Sequence, residues 1–174
     1  VKINVSACDW HTVLAGGGGA GFEGLFALDM NSPGYTSSKV LFEKTGGDFG
    51  HIYGAPRIAP LGTTAAPDWY VFTGNGYKTQ CGGINNSVCN TDFNHPTALL
   101  MVSLANPDTV YSIDTLTKGG LSSPVLVNTD ETDLLPEIAF AGDINGDLWM
   151  FRLNKSSPGA STFHKVFDGS PDQP

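Results

Sequence analysis

The sequence predicts an all-β fold of about three four-stranded antiparallel blades, which is the architecture of a partial β-propeller. Three observations predict it. A strand, a glycine turn and a return strand occur together three times, no convincing helical pattern is present, and the 174 residues include 22 glycines and 11 prolines. Short strands joined by tight turns have such a composition. A strand-only repeat of this length is typical of propeller blades.

The repeated unit is a pair of apolar strands on either side of a glycine turn. Its three copies run from 11–15 to 24–28, from 69–73 to 99–104 and from 137–141 to 147–153. Apolar residues stand at consecutive positions in these strands. We therefore expect both faces of each hairpin to be buried between neighbouring blades.

Further strands extend each hairpin towards a full blade. A proline-marked strand precedes the second and third hairpins, and another strand follows every hairpin; these lie at 56–61, 123–127, 40–43, 109–113 and 163–167. Proline is tolerated at strand starts and edges, which suits the first strand of a blade. The predicted organisation is one propeller domain, 1–174, with approximate blades 1–48, 49–118 and 119–174. Closed propellers have roughly four to eight blades, so we expect a fragment of a larger ring.

The charge balance excludes some classes of partner. The chain carries 17 acidic against 9 basic residues, for a formal net charge of −8. Nucleic acid is not an expected partner, because phosphate binding needs a basic face. No apolar run reaches the length of a membrane span. An acidic surface fits a secreted protein or one that holds a cation.

The three cysteines bear on the compartment. Cys81 and Cys89 flank a polar loop with no core pattern, and we predict a disulfide that closes this loop in an oxidising compartment. Two unpaired thiols or a pair of metal ligands are the alternatives. Cys8 is left over, either to pair outside the chain or to be buried.

An acidic stretch at 128–137 is the best candidate for a binding site. Asn128, Asp130, Asp133 and Glu137 place oxygen side chains at intervals that can wrap a hard cation such as Ca²⁺. Leucines stand where a compact calcium loop has its turn glycine, and the stretch is one residue longer. A solvated acidic loop between two strands is the alternative. The later segment 143–147 also alternates oxygens, but its Asn-Gly dipeptide explains it as a turn without metal.

Several segments together resemble the C-terminal β-propeller of the PilY/PilC family, the tip-associated adhesins and assembly factors of bacterial type IV pili. The resemblance lies in Gly24–Asp29, Gly50–Ala59, Gly74–Tyr77, Gly120–Pro124 and Phe140–Trp149. The matches follow the family's order and cover nearly the whole chain. The resemblance implies a partial, quinoprotein-like propeller without enzymatic activity.

The resemblance also implies a role and a setting. The expected function is type IV pilus biogenesis and surface adhesion, at the pilus tip outside the bacterial cell or in association with its outer membrane. The expected partners are the rest of the parent propeller or its N-terminal region, pilins and minor pilins, and a host or abiotic surface. The family's calcium loop falls on Asn128, Asp130, Asp133 and Glu137, which makes calcium the implied cofactor and regulation by calcium the implied mechanism.

Two other functions remain open at the level of sequence. A quinoprotein-type dehydrogenase shares such hairpins, but it needs a closed ring and quinone-contacting residues, and the sequence presents neither. The second open function is that of a secreted propeller module that binds glycans or proteins. The histidines at 11, 51, 95 and 164 are scattered without metal-ligand spacing, and no nucleophile motif accompanies them. We expect structural roles for them.

Overall fold

The structure, a computed structural model, describes residues 10–31, 39–63, 66–81, 89–91, 94–130 and 132–169. Across these ranges the chain forms strands, turns and short 3-10 turns such as Pro158–Ala160, and no α-helix is present. The predicted all-β class is confirmed. Cys8 lies outside the described residues. No helix in this part of the chain is long and apolar enough to cross a membrane.

Three open antiparallel sheets follow one another along the chain. The first has the order β1-β2-β3, with β1 (Val13–Gly17), β2 (Gly24–Asp29) and β3 (Val40–Thr45). The second has the order β4-β5-β8-β9, with β4 (Arg57–Thr63), β5 (Ala66–Gly74), β8 (Pro96–Ser103) and β9 (Val110–Lys118). The third has the order β10-β11-β12-β13, with β10 (Val125–Val127), β11 (Ile138–Gly142), β12 (Leu148–Arg152) and β13 (Thr162–Phe167). The blade bounds at 48 and 118 stay a prediction.

The second sheet lies between two hydrophobic cores. Successive residues of a strand point to opposite faces. On β5, Tyr70 and Phe72 therefore enter the core shared with the third sheet, while Val71 enters the core shared with the first. Strand β8 divides in the same way, with Leu99 and Met101 on one side and Ala98, Leu100 and Val102 on the other. Burial of both faces is confirmed for this sheet, and it explains the unbroken apolar runs in its central strands.

A short ribbon interrupts the second sheet between β5 and β8. Strands β6 (Thr79–Cys81) and β7 (Cys89–Thr91) pair antiparallel on either side of the predicted polar loop, whose residues 82–88 lie outside the described residues. Their register sets Cys81 directly opposite Cys89. Cα atoms of such partners are about 4.5–5.5 Å apart, within the range that a disulfide spans. The disulfide itself stays a prediction.

Candidate functional site

The acidic loop 128–137 lies at the surface between β10 and β11 of the third sheet. The two strands lead into it side by side, and the Glu137 amide donates to the Val127 carbonyl oxygen at 3.0 Å. Leu135 is buried, whereas Leu134 is 83% exposed. The chain therefore leaves β10, forms the loop and enters the neighbouring strand β11, and most polar side chains of the loop lie near the surface.

Local hydrogen bonds shape the first half of this loop. The Asn128 Oδ1 atom accepts from the Asp130 amide at 2.9 Å, and the Asn128 side chain donates to the Asp133 carbonyl oxygen. Asp130 Oδ1 accepts from the Thr132 amide and hydroxyl at 2.9 and 2.6 Å. These hydrogen bonds to Thr132 lower the pKa of Asp130 below its ordinary value. Such Asx turns are the usual way in which short polar side chains order a loop.

A lysine binds the two carboxylates in the second half of the loop. Lys155 Nζ lies 2.9 Å from Asp133 Oδ2 and 3.2 Å from Glu137 Oε1. The hydrogen bond to Asp133 is the main cause that raises the pKa of Lys155, and Glu137 adds to it. The other oxygens of the two carboxylates accept from the Leu135 amide at 2.9 Å and from the Thr129 hydroxyl.

The predicted calcium ligands are chemically suitable but are arranged around a lysine. All four offer oxygen atoms, which are the ligands that Ca²⁺ takes in proteins. Asp133 and Glu137 meet through Lys155, whereas the Asp130 carboxylate accepts from Thr132. In the described ranges, no group of three or more His, Cys, Asp and Glu side chains has a metal-holding arrangement. Calcium binding by this loop stays a prediction.

The second acidic segment, at 143–147, is a turn closed by protein donors. Asp143 Oδ1 accepts from the Asn145 and Asp147 amides at 2.9 and 3.0 Å, and Asp143 Oδ2 accepts from the Trp149 indole at 2.9 Å. Gly146 takes φ = 87°, the left-handed conformation that its Asn-Gly dipeptide predicts. This geometry agrees with the turn that the Asn-Gly dipeptide predicts.

A buried asparagine joins the second and third sheets. Asn75 has no exposed surface, and its amide makes four hydrogen bonds, which is its full capacity. The Nδ2 atom donates to His95 Nε2 at 2.9 Å and to the Pro96 carbonyl oxygen at 2.6 Å. The Oδ1 atom accepts from the Ala98 and Leu121 amides at 3.1 and 2.9 Å. The sequence indicated only a turn residue here, because an Asn-Gly dipeptide carries no sign of burial.

A cavity of about 260 Å³ opens beside this junction. Segments 51–54, 76–77, 120–123 and 143–144 line it. The rings of Tyr53 and Tyr77 stack at its edge, with centroids 5.5 Å apart and planes within 13°. Their hydrogen bond raises the pKa of Tyr77 above the ordinary value of 10.0. The hydroxyl of Ser123 is buried in the wall without a hydrogen-bond partner among the described residues. Nothing in the sequence indicated this cavity, because its residues come from four separate segments.

Close backbone contacts hold the cavity wall in place. The amides of Gly50 and Gly76 donate to the carbonyl oxygens of Asn75 and Leu121 at 2.7 and 2.9 Å. Gly120 has φ = 95°, and a Cβ atom there would lie 2.0 Å from the Gly76 carbonyl oxygen. Only glycine fits such an approach, so the segments that lead into β4 and β10 are locked to the end of β5.

The sheet order and the buried interfaces define a class of protein with stacked antiparallel blades. Comparison with known proteins gives the particular family. The model of the PilY1 beta-propeller domain matches residues 2–172. The crystal structure of the Pseudomonas aeruginosa PilY1 C-terminal domain superposes with a TM-score of 0.60 and 31% identity, over 94% of this chain and 30% of that one.

Relatives of known identity agree with this assignment. The type IV pilus biogenesis factor PilY1 of Pseudomonas aeruginosa strain UCBPP-PA14 is 34% identical over 151 residues, which cover 83% of this chain and 11% of the relative. The same factor of strain PAK is 32% identical over 183 residues, which cover 93% and 14%. A PilY1 homolog of Xylella fastidiosa is 30% identical over 166 residues, which cover 86% and 10%.

The chain therefore belongs to the PilY1 β-propeller family. The resemblance seen in the sequence is confirmed, and so is the partial propeller with open sheets. The chain spans only about a tenth to a seventh of the length of these relatives. Each of these relatives is named as the type IV pilus biogenesis factor PilY1 or as a homolog of it.

Proposed function

We propose that this chain is a non-enzymatic propeller segment of a type IV pilus biogenesis factor and acts outside the bacterial cell, at the pilus. The observation that carries the proposal is the match of residues 2–172 to the PilY1 beta-propeller domain. Relatives at 30–34% identity are named as pilus biogenesis factors, which supports the same role. In this proposal the sheets are a rigid scaffold, the rest of the parent propeller completes the ring, and pilins are the partners.

The biogenesis role is tested in the parent protein. Deleting this segment from the parent is expected to remove most surface pili, counted by electron microscopy, and re-expression of the intact parent should restore them. The matched control is Phe167→Ala, which changes an exposed aromatic side chain of β13 and should leave pilus number unchanged. An unchanged number of pili in the deletion strain, with the shortened protein still exported, would contradict the role.

Surface adhesion is the second part of the proposal, and the cavity beside Asn75 supports it. Tyr53 is 59% exposed and stacks on Tyr77, so its ring offers a flat apolar face with a polar tip. Aromatic side chains with this character are frequent at binding surfaces. The cavity of about 260 Å³ beside this ring adds a concave surface that a bound partner can fill. We assign the contact with a host or abiotic surface to this cavity.

Single substitutions at Tyr53 test the adhesion contact. Tyr53→Ala is expected to lower attachment of piliated cells to a surface several-fold while pilus number stays unchanged, because the stacking face is lost. Tyr53→Phe keeps the ring and should keep most of the attachment. Full attachment by the Tyr53→Ala strain would place the adhesive contact elsewhere on the protein.

Regulation by calcium is the third part of the proposal. The oxygen side chains of Asn128, Asp130, Asp133 and Glu137 support it, because they lie in one surface loop and match the ligand chemistry of Ca²⁺. A bound cation would brace this loop against the strands on either side. Two of these four side chains, Asp133 and Glu137, already contact the ammonium group of Lys155.

A further inference from the structure

The acidic loop 128–137 already contains a cation that belongs to the protein. Lys155 Nζ is within 3.2 Å of carboxylate oxygens of both Asp133 and Glu137. The side chains of Asp133 and Lys155 are only 14% and 23% exposed, so this pair is partly withdrawn from solvent. A single positive charge therefore bridges two of the four residues that the sequence predicts as calcium ligands.

The backbone that carries the lysine is itself well ordered. Lys155 follows β12 in a turn where Asn154 Oδ1 accepts from the amides of Ser156 and Ser157 at 3.1 and 2.9 Å. The Asn154 amide donates to the Ser161 hydroxyl at 3.0 Å, which ties this turn to the residues just before β13. The backbone at Lys155 is therefore fixed by the turn, and only the lysine side chain loses conformational freedom when its ammonium group binds the two carboxylates.

We propose that Lys155 is a built-in competitor of calcium, which holds the acidic loop closed without metal and lowers the calcium affinity of the loop. Calcium has to displace the ammonium from Asp133 and Glu137 before it can bind both carboxylates, because two cations cannot share them without strong repulsion. The loop is then ordered in the absence of calcium, and calcium regulation sets in only at a raised concentration.

Substitution of the lysine tests the competition. The variant Lys155→Met removes the charge and keeps most of the side-chain volume. Calcium is titrated by calorimetry into the full 174-residue chain after chelator stripping, and the thermal unfolding midpoint is recorded with and without calcium. Lys155→Met is expected to bind calcium about tenfold more tightly than the wild type, and to gain more in unfolding midpoint from calcium.

The control is Lys165→Met, because Lys165 makes an equivalent pair with Asp147 in the same sheet but outside the loop. It should respond to calcium as the wild type does. Lys155→Gln serves as a second variant if Lys155→Met does not fold. Equal calcium affinities in the wild type and the Lys155 variants would overturn the proposal, and so would a Lys155 variant that folds and does not bind calcium.

The competition by Lys155 rests on the proposed calcium regulation of the acidic loop. It can be refuted independently of the pilus role. The calcium titration needs only the isolated chain, whereas pilus biogenesis is measured by counting pili in cells. Loss of pili in the deletion strain together with equal calcium affinities would keep the pilus role and overturn the competition. Unchanged pilus number in the deletion strain, together with tighter calcium binding by the Lys155 variants, would keep the competition and overturn the pilus role.

Discussion

The buried side chain of Asn75 and the acidic loop 128–137 both join distant parts of the chain, but they use different interactions. Asn75 is fully buried, and its neutral amide closes four hydrogen bonds that reach β8 and the segment before β10. The acidic loop lies at the surface, and a lysine from beyond β12 closes it through charge. One junction holds the sheets together, and the other holds a loop onto one sheet.

The difference shows which junction can respond to the surroundings. The buried Asn75 amide carries no charge and has no free group to bind an ion, so salt and calcium leave its hydrogen bonds unchanged. An ion pair near the surface is weakened by salt and can exchange one cation for another. The pair of Asp147 and Lys165 is intermediate, because the side chain of Asp147 is only 8% exposed while that of Lys165 is 34% exposed.

The largest expected effect comes from breaking the buried junction. Asn75→Ala removes four hydrogen bonds and leaves the amides of Ala98 and Leu121 buried without their acceptor. Unsatisfied buried groups cost about 1–3 kcal/mol each, so we expect the free energy of unfolding to fall by about 3 kcal/mol or more. Chemical denaturation followed by tryptophan fluorescence measures it. Asn145→Ala, which removes one exposed hydrogen bond to Lys118, should cost about 1 kcal/mol or less. Equal losses of unfolding free energy in the two variants would show that the buried hydrogen bonds of Asn75 stabilise the fold no more than the exposed one of Asn145.

The intermediate junction should respond to acid. Burial opposes ionisation of Asp147, but hydrogen bonds from Lys165 and the Gly169 amide outweigh it and hold the pKa of Asp147 below its ordinary value of 3.8. A carboxylate with a lowered pKa stabilises the fold above that ordinary value, and the contribution is lost as the pH falls through the folded-state pKa. The stability advantage of the wild type over Asp147→Asn should therefore be present at neutral pH and shrink below pH 3.8.

Denaturation of both proteins over this pH range measures that advantage. Asp168→Asn is the matched control, since Asp168 is a more exposed partner of the same lysine, 3.5 Å from Lys165 Nζ. Its effect on stability should be smaller at every pH. An advantage of the wild type over Asp147→Asn that stays constant into acid would show that the charge of Asp147 is not what stabilises the turn.

The smallest expected effect is the one that calcium adds at the surface loop. Combining Asp130→Ala with Asp133→Ala removes two of the predicted ligands and is expected to abolish any calcium-dependent rise in the thermal unfolding midpoint. Differential scanning calorimetry in calcium and in chelator gives the difference. Asp108→Ala, at a carboxylate that is 95% exposed and pairs with Lys44, should leave the calcium response unchanged. An undiminished rise in the double variant would place the calcium elsewhere.

Much of the fold could be predicted because strand patterns are local. The apolar pairs and their glycine turns indicated the strands of each sheet, and β8 had apolar residues for both of its faces. The ribbon of β6 and β7 escaped prediction, because its residues are polar and the strands are three residues each. For the candidate site, the sequence located the acidic loop but not its lysine, since Lys155 lies 22 residues beyond Asp133 on the far side of two strands.

The sequence by itself determined the all-β class, the repeated hairpins and the family, because these depend on alternation, turn residues and motifs that are contiguous in the chain. Only the tertiary structure decided the role of Asn75 and the ammonium group in the acidic loop. Both depend on which segments meet in space, and a polar residue in a sequence carries no record of its partners. Hydrogen bonds, and ion pairs in direct contact, need their atoms within about 3 Å, so they form only once packing has brought the segments together.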